Sequence, residues 1–357
     1  MSFLAAILPR PAGGVLAPLV VLLACAILAA LNAGATGVGP ADLARLLSAA
    51  LSGVPHPELA SAHLIIVEIR LPRAVLAALV GAALGVSGAI AQGLFRNPLA
   101  DPGIIGVSAG AALAAALVIL AGDTLLPFAG GLGASAWGRW AVPIAGLAGS
   151  AATTALLYVF ATRRGVTSVA TVLLGGVALS AFAGALTGLL IFSADDRQLR
   201  DFTFWTLGSL AGASWAKIAV LAPFLAFAAW GAARLADPLN LLLLGEAEAF
   251  HMGARVQQAK YLAIAVVASA VGTSVSVVGP IAFIGMLVPH LVRMVAGPDH
   301  RIVLPGSALL GASLLLAADT LARVVAAPAE LPVGIITAAI GAPCFFWLLL
   351  RRPAEMA

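Results

Sequence analysis

The sequence predicts an all-α polytopic membrane protein with about ten transmembrane helices. Of its 357 residues, 62% are apolar and only 10% are charged, well below the roughly 25% of soluble domains. Apolar segments of about 20 residues, the length that crosses a bilayer, recur along the chain. This composition excludes a soluble enzyme and a disordered chain. The formal charge of +4 is scattered rather than gathered on one face, which also excludes a nucleic-acid-binding module.

Ten apolar segments account for most of the chain, and no polar stretch is long enough to form a separate soluble domain. Residues 1–357 are therefore expected to form a single transmembrane domain. We interpret the first segment as a retained helix rather than a signal peptide, because its basic region is thin and nine further spans follow. The predicted spans are 15–34, 72–92, 103–121, 141–161, 168–192, 216–235, 258–278, 281–296, 302–323 and 333–350.

Three connections are expected to carry more than a simple turn. Residues 42–51 have leucines at helical spacing, and 195–205 within the outer loop 193–214 is charged and then aromatic, so both predict short helices at the membrane surface. The longest inner connection, 237–260, is too polar to span. It is either a solvated loop or a docking surface. The loops on the same side of the membrane as the N-terminus carry a modest excess of Lys and Arg, which predicts that both termini are cytoplasmic.

Glycines four residues apart recur within the spans, and this spacing predicts close helix packing. The pairs are Gly81 with Gly85, Gly106 with Gly110, and Gly184 with Gly188.

A faint internal repeat joins the two halves of the chain. Spans 2–5 and 7–10 each begin with a small-residue span followed by a proline-bearing turn, Asn97-Pro98 in one and Gly279-Pro280 in the other. Five spans separate the copies, so they would have opposite topology, as in many transporters.

The chain lacks the residues of an ATPase. No G-x-x-x-x-G-K-[ST] motif occurs, and neither lysine, Lys217 or Lys260, follows a glycine-rich loop. Asp319, the main carboxylate within a span, is four residues from Arg323, so a local ion pair is expected. This scarcity of intramembrane ionisable groups disfavours ion coupling. The sequence indicates a transport subunit that receives its energy from a partner, with an ATP-independent secondary carrier as an alternative of another class.

One enzyme-like motif is present. Gly85-Val86-Ser87-Gly88 matches the G-x-S-G of rhomboid-type intramembrane proteases, which pair the serine with a histidine, here His290. Small-residue helix packing explains the same four residues and is favoured.

Long motifs, in the same order, resemble the permease subunit of type II ABC importers for iron-siderophores, haem and cobalamin. The resemblance covers nearly the whole chain. The residues that carry it are 70–73 (RLPR), 81–85 (GAALG), 95–106 (FRNPLADPGIIG), 279–285 (GPIAFIG), 288–293 (VPHLVR), 329–334 (AELPVG) and 341–343 (GAP).

The resemblance implies the fold of that family and a set of partners. It implies a homodimer in the bacterial inner membrane, two cytoplasmic ATPase subunits that hydrolyse ATP, and one periplasmic binding protein. No permanently bound cofactor or metal is expected in the permease.

Three groups of residues acquire roles by resemblance. Those for docking the binding protein are Arg70, Arg73 and Arg323, for which interface anchoring or pairing with Asp319 is the alternative. Those for coupling to the ATPase are Glu246, Glu248, His251, Gly253 and Arg255. Those for the cytoplasmic gate are Asn97, Leu99, Thr167 and Ser168, for which helix capping is the alternative.

The substrate is expected to be haem, because the loops around 196–210, 243–248 and 297–301 resemble the haem branch. A mouth of Arg197, Arg200, Phe204 and Trp205 suits a flat apolar ring with two propionates. A lipid-interface belt explains the same side chains nearly as well. A ferric siderophore or cobalamin remains the alternative cargo. No His or Tyr pair that could ligate iron within the membrane is evident in the sequence.

Overall fold

The computed structural model describes residues 12–34, 38–52, 59–125, 138–327 and 329–351. It contains fourteen α-helices: α1 (Ala12–Asn32), α2 (Pro40–Ser52), α3 (Ala60–His63), α4 (Leu71–Phe95), α5 (Val107–Leu125), α6 (Gly138–Ala161), α7 (Val169–Phe192), α8 (Asp196–Thr206), α9 (Trp215–Leu242), α10 (Glu246–His251), α11 (Val256–Val278), α12 (Ile284–Ala296), α13 (His300–Val325) and α14 (Val333–Arg351). A π-helical turn, Leu64–Arg70, joins α3 to α4, and a 3₁₀ turn, Pro102–Ile105, precedes α5. A two-stranded hairpin, β1 (Thr162–Arg163) and β2 (Val166–Thr167), joins α6 to α7.

Each of the ten predicted spans coincides with a helix, so the all-α polytopic fold is confirmed. Within the described ranges, seven helices are long and apolar enough to cross a bilayer, and three shorter apolar ones coincide with predicted spans three, eight and ten. The seven are Gly14–Asn32, Ala60–Phe95, Trp140–Ala161, Val169–Phe192, Trp215–Leu242, Val256–Val278 and His300–Val325.

Three of these helices form the centre of the molecule. Most of α4, α11 and α13 is buried, whereas α1, α7 and α9 expose most of their length. Helix α13 lies along α4 because glycine brings the backbones together: a Cβ on Gly81 would strike Gly311 O, and one on Gly85 would strike Ser307 O. The predicted packing role of this pair is confirmed.

The other two glycine pairs behave differently from each other. Gly110 meets Gly149 and Thr153, so α5 packs closely on α6 as the spacing predicts, and Gly106 ends the turn before α5. Gly184 and Gly188 lie on an exposed face of α7, where no atom of the described residues comes within 4 Å of a Cβ built on either. Packing within the chain therefore does not explain this last pair.

The helix contacts support the predicted repeat of spans 2–5 and 7–10. Helix α4 packs on α13 and α12, and its counterpart α11 packs on α6 and α5. The pair α5 with α6 corresponds to α12 with α13, and α6 with α7 corresponds to α13 with α14. This is the pairing that two inverted copies would produce around an axis between α4 and α11.

Each half contains a broken segment at the predicted proline turn. After α4 the chain passes through Arg96 in a left-handed conformation (φ 49°) before it re-enters at α5. After α11 it passes through Gly279 and Phe283 (φ 76° and 69°) and then forms α12. Helix α12 has only 13 residues, about 20 Å, so the predicted span 281–296 is too long for the helix observed. Positive φ at Phe283 ends the preceding turn and delays the helix start.

The surface helices predicted over 42–51 and 195–205 are present as α2 and α8, and α8 begins with a reciprocal capping box between Asp195 and Gln198. The connection expected over 237–260 is shorter. Helix α9 continues to Leu242 and α11 starts at Val256, with α10 between them. Polar residues at the end of α9 remain helical because they bond to the α12–α13 turn, as Asn240 does to Asp299 (2.7 Å).

Candidate functional site

Two clusters of polar residues lie at opposite ends of the central helices. The first, the arginine cluster, consists of Arg70, Arg73 and Arg323. Arg73 is at the start of α4, and its guanidinium holds two carboxylates. Nη2 and Nε donate to Asp319 Oδ1 (2.9 and 3.1 Å), and Nη1 donates to both oxygens of Glu330 (3.0 Å). The planar fork of arginine suits such double pairing.

Arg70 and Arg323 bind the end of α1. The last carbonyls of a helix have no partner within it, and cations are stabilised there. Arg323 donates to Ala30 O and Ala33 O (3.1 and 2.9 Å), and Arg70 Nη1 donates to Leu31 O (2.7 Å). Arg323 also pairs with Asp319 (3.2 Å), so the local ion pair expected from sequence is present.

Burial and charge set what the arginine cluster can bind. The side chains of Arg73 and Asp319 are only 8% and 2% exposed, whereas that of Glu330 is 48% exposed. Among the described residues, the carboxylates paired with Arg73 and Arg323 are Asp319 and Glu330. Glu330 is the exposed partner of Arg73, and an external carboxylate could take its place.

The second cluster surrounds α10, and we call this end of the molecule the α10 end. Phe250 and Met252 are 70% and 60% exposed although they lie outside the spanning helices. A surface groove of about 800 Å³ runs beside them, lined by Glu246, His251, Gly253, Arg255 and neighbours up to Gln258. Four of the five predicted coupling residues thus line one concavity, and Glu248 lies at the start of the same helix. Apolar side chains exposed around a groove are typical of a protein-docking surface.

The predicted gate residues lie at the α10 end. Asn97 Oδ1 accepts from Leu99 N–H (2.9 Å), which shapes the turn after α4. Ser168 is the N-cap of α7 and accepts from Thr171 N–H (3.3 Å), so its capping role is confirmed. Thr167 does not cap the helix. It is 1% exposed, and its hydroxyl bonds that of Thr162 across the hairpin (2.9 Å).

The four residues predicted to form the substrate mouth are on α8, but they do not share one environment. Arg197 and Phe204 are exposed, and so is Arg200. Trp205 instead packs inward on Phe202 with the rings stacked 6.2 Å apart. Its indole Nε1–H is buried without a hydrogen-bond partner in the described part of the chain.

Buried polar side chains of α9, α12 and α13 were not anticipated from the sequence. His300 donates Nδ1–H to Asn240 Oδ1 (2.9 Å), which leaves Nε2 to accept from Arg293 Nη2 (3.3 Å). Asp299 caps α13 by accepting from Arg301 N–H (2.9 Å). Burial raises the pKa of Asp299, but the hydrogen bonds from Arg301 N–H and Asn240 outweigh it and lower the pKa. These side chains tie three helices together.

Two other side-chain contacts were not predicted from the sequence. The chain's two tyrosines, Tyr158 and Tyr261, meet edge to face at 5.3 Å. The buried Lys260 pairs with Glu246 (2.7 Å). Within the described ranges, no group of three or more His, Cys, Asp or Glu side chains could hold a metal ion. Ser87, the residue of the protease-like motif, donates back to Ala83 O in its own helix (2.7 Å).

Comparisons with known proteins agree with this architecture. The chain is 45% identical over 285 residues to the hemin transport system permease protein HmuU of Yersinia pestis, covering 80% of this chain and 83% of that one. It is 43% identical over 300 residues to the cobalamin import system permease protein BtuC of Halobacterium salinarum, covering 84% and 76%. It is 38% identical over 331 residues to the vitamin B12 import system permease protein BtuC of Escherichia coli, covering 93% of each.

A solved structure, described as an inward-facing conformation of a metal-chelate type ABC transporter, superposes with a TM-score of 0.80. It is 31% identical and covers 95% of this chain and 99% of its own. The family model for the FecCD transport family matches residues 21–351. The chain therefore belongs to the FecCD transport family.

Proposed function

We propose that this chain is the permease subunit of an ATP-driven importer that moves haem across the bacterial inner membrane. The observation that supports the proposal most is that the arginine cluster and the groove beside α10 lie at opposite ends of helices with few ionisable groups between them. The chain has no P-loop of its own, so a separate subunit hydrolyses the ATP. In the proposed orientation both termini and α10 are cytoplasmic.

Haem is the proposed cargo because the hemin permease of Yersinia pestis is 45% identical to this chain. Exposed Arg197, Arg200 and Phe204 on α8 offer cations for two propionates and an apolar face for the ring. Cobalamin is the second candidate, since the archaeal cobalamin permease is 43% identical. A ferric siderophore is the third candidate and would be imported by the same complex. Haem would pass as substrate and leave no resident cofactor.

The ATPase would bind at α10, and its motion would reach the gate as rigid-body rocking of the helices around it. Phe250 and Met252 supply exposed apolar contacts, and Glu246, Glu248, His251 and Arg255 supply charge and hydrogen bonds around them. The gate would consist of Asn97 and Leu99 on one turn and Ser168, beside Thr167, on the other.

A periplasmic binding protein would dock on the arginine cluster. Because Arg73 is already paired, a carboxylate of the binding protein would displace Glu330 rather than enter an empty pocket. The guanidinium groups of the cluster would steer an acidic partner and fix its register more than they would add affinity.

The working unit would be a homodimer. Helix α7 exposes most of its surface and carries Gly184 and Gly188 on an open face, the spacing with which membrane helices approach one another. Two ATPase subunits and one binding protein would complete the complex.

Reconstitution in liposomes tests the proposal. The permease, the partner ATPase and the binding protein are assembled, and uptake of hemin, cobalamin and a ferric hydroxamate is measured with ATP and without it. We expect hemin uptake that requires both ATP and the binding protein. Hemin uptake that continues without ATP would identify a secondary carrier. ATP-dependent uptake of cobalamin but not hemin would keep the importer and replace the cargo.

A further inference from the structure

Lys260 forms hydrogen bonds to two segments that are far apart in the sequence. It lies in the second turn of α11 and is 2% exposed. Its ammonium donates to Glu246 Oε2 on α10 (2.7 Å) and to the carbonyl of Thr167 at the end of the hairpin (2.9 Å). One buried cation is therefore bonded at once to the proposed ATPase-docking helix and to the residue immediately before Ser168.

The hairpin is held on α11 by two further bonds. Gln257 Oε1 accepts from Thr167 N–H (2.9 Å), and Tyr261 Oη donates to Gly165 O (2.8 Å). Positions 257, 260 and 261 are spaced by three and four residues, so they lie on one face of the helix. The hairpin accordingly moves with the first two turns of α11, and it leads directly into the N-cap of α7.

The two bonds of Lys260 are costly to lose. A buried ammonium without its partners bears the full desolvation penalty, and hydrogen bonds that involve a charge are the strong ones. A displacement of α10 that carries Glu246 with it would thus pull Lys260 and Thr167 along rather than leave the cation unpaired. Phe250 on α10 and Met252 beside it are exposed and outside this link, so they can bind a partner without disturbing it.

We propose that Lys260 is a positioning residue that transmits movement of α10 to the gate segment Thr167–Ser168. This inference rests on the proposed function, because it assumes an ATPase on α10 and a gate at α7. The residue does not touch ATP or substrate. Its role is to keep the docking helix, the hairpin and the start of α7 moving as one body.

The test separates ATP hydrolysis from transport. Lys260→Met, which retains the length of the side chain but not its charge, is compared with Lys260→Arg and with wild type in the liposome assay. The matched control is Lys217→Met, because Lys217 is the chain's other lysine and lies on the first turn of α9. Hemin uptake and phosphate release are measured together, and the ratio of the two is the readout. Binding of the ATPase and the melting temperature are recorded for each variant.

For Lys260→Met we expect ATPase binding and ATP hydrolysis to be retained while hemin transported per ATP falls roughly 5-fold or more, the lower end of coupling between distant sites. Lys260→Arg, which can still donate to both partners, and Lys217→Met should keep the wild-type ratio. An unchanged ratio in Lys260→Met overturns the inference. So does loss of ATPase binding in a folded Lys260→Met protein, which would make the residue a docking determinant.

A second variant applies where Lys260→Met does not fold. Glu246→Gln leaves the bond from Lys260 to Thr167 but weakens the one to α10, so it should lower the same ratio by a smaller factor. Where both variants fold, the double variant should lower the ratio of hemin uptake to phosphate release no more than Lys260→Met alone, because both substitutions break the same linkage. Additive losses in this ratio would contradict the inference. A wild-type complex without ATP-dependent uptake refutes the proposed function itself, whereas a wild-type ratio in a folded Glu246→Gln or Lys260→Met variant of an active complex refutes only the role of Lys260.

Discussion

Arg73 and Asp319 use buried charge to join α4 to α13. Both side chains are almost completely removed from solvent, and Asp319 is shared with Arg323 one turn away on its own helix. A buried ion pair contributes little net stability when intact, but removal of one partner leaves a charge without compensation. The same guanidinium that forms this structural pair also offers Nη1 to the exposed Glu330. Arg73 therefore pairs with a buried carboxylate, Asp319, on one side and with a surface carboxylate, Glu330, on the other.

Because Arg73 pairs with one buried and one exposed carboxylate, substitutions of Arg73 and of Glu330 should lower the free energy of unfolding by different amounts. Arg73→Met should destabilise the protein by about 3 kcal/mol or more, because Asp319 keeps a buried charge with one partner fewer. Glu330→Gln should cost less than about 1 kcal/mol, because its carboxylate is half exposed. Melting temperatures in detergent give the comparison. Arg73→Met with Asp319→Asn as a double variant should recover part of the loss, and equal melting temperatures for Arg73→Met and Glu330→Gln would refute this assignment.

Pairs that are close in sequence could be predicted, and distant ones could not. The ion pair of Asp319 with Arg323 follows from their spacing of four residues on a helix. The pair Arg73–Asp319 and the link Lys260–Thr167 join residues far apart in the chain, and a single sequence carries no signal for them. The resemblance grouped Arg73 with Arg70 and Arg323, which lie at the same end of the molecule, but it did not predict that Arg73 pairs with Asp319 and Glu330.

At the scale of elements, hydrophobic length located every span, because a bilayer demands about 20 apolar residues. It failed where helices continue past the apolar run. Helix α9 extends to Leu242, where Asn240 bonds to Asp299, and the helix leading into α4 begins at Ala60, ahead of Arg70, which bonds to the end of α1. It also failed at α12, where Phe283 adopts a backbone conformation that its residue type does not suggest.

The open face of α7 yields a prediction about assembly. Glycine lowers helix stability by about 1 kcal/mol relative to alanine. Among the described residues outside the backbone of α7 itself, no atom lies within 4 Å of a Cβ built on Gly184 or Gly188. If they serve a second copy, Gly188→Leu should shift the protein from dimer to monomer while it improves the propensity of α7 for helix. Light scattering or native mass spectrometry in detergent measures the shift.

The control for this substitution is Ala151→Leu, which adds comparable bulk to an exposed position on α6. It should leave the dimer intact. A dimer that persists in both Gly184→Leu and Gly188→Leu would place the interface elsewhere.

At the scale of the whole molecule, the repeat explains how the two ends can communicate. Helices α4 and α11 are equivalent in the two copies and pack on each other at the centre. The arginine cluster is at the start of α4, and Lys260 is near the start of α11, at the opposite end. Close glycine contacts along α4 leave little space for independent movement. Under the proposed function, a displacement at one end would be carried by rigid helices to the other.

Communication between the ends predicts the effect of one exposed residue on a distant reaction. Glu330 occupies Arg73, so a carboxylate from the binding protein has to displace it. Glu330→Gln should lower the binding-protein concentration that half-maximally stimulates ATP hydrolysis by up to roughly 5-fold, the factor expected for an exposed ion pair of up to about 1 kcal/mol. The maximal stimulated rate should not change, because the α10 end is intact. Glu68→Gln is the matched control: Glu68 is exposed on the π-helical turn at the same end, and its loss removes the same charge without touching Arg73. An equal effect of both substitutions would show that long-range charge, and not exchange of the partner of Arg73, sets docking.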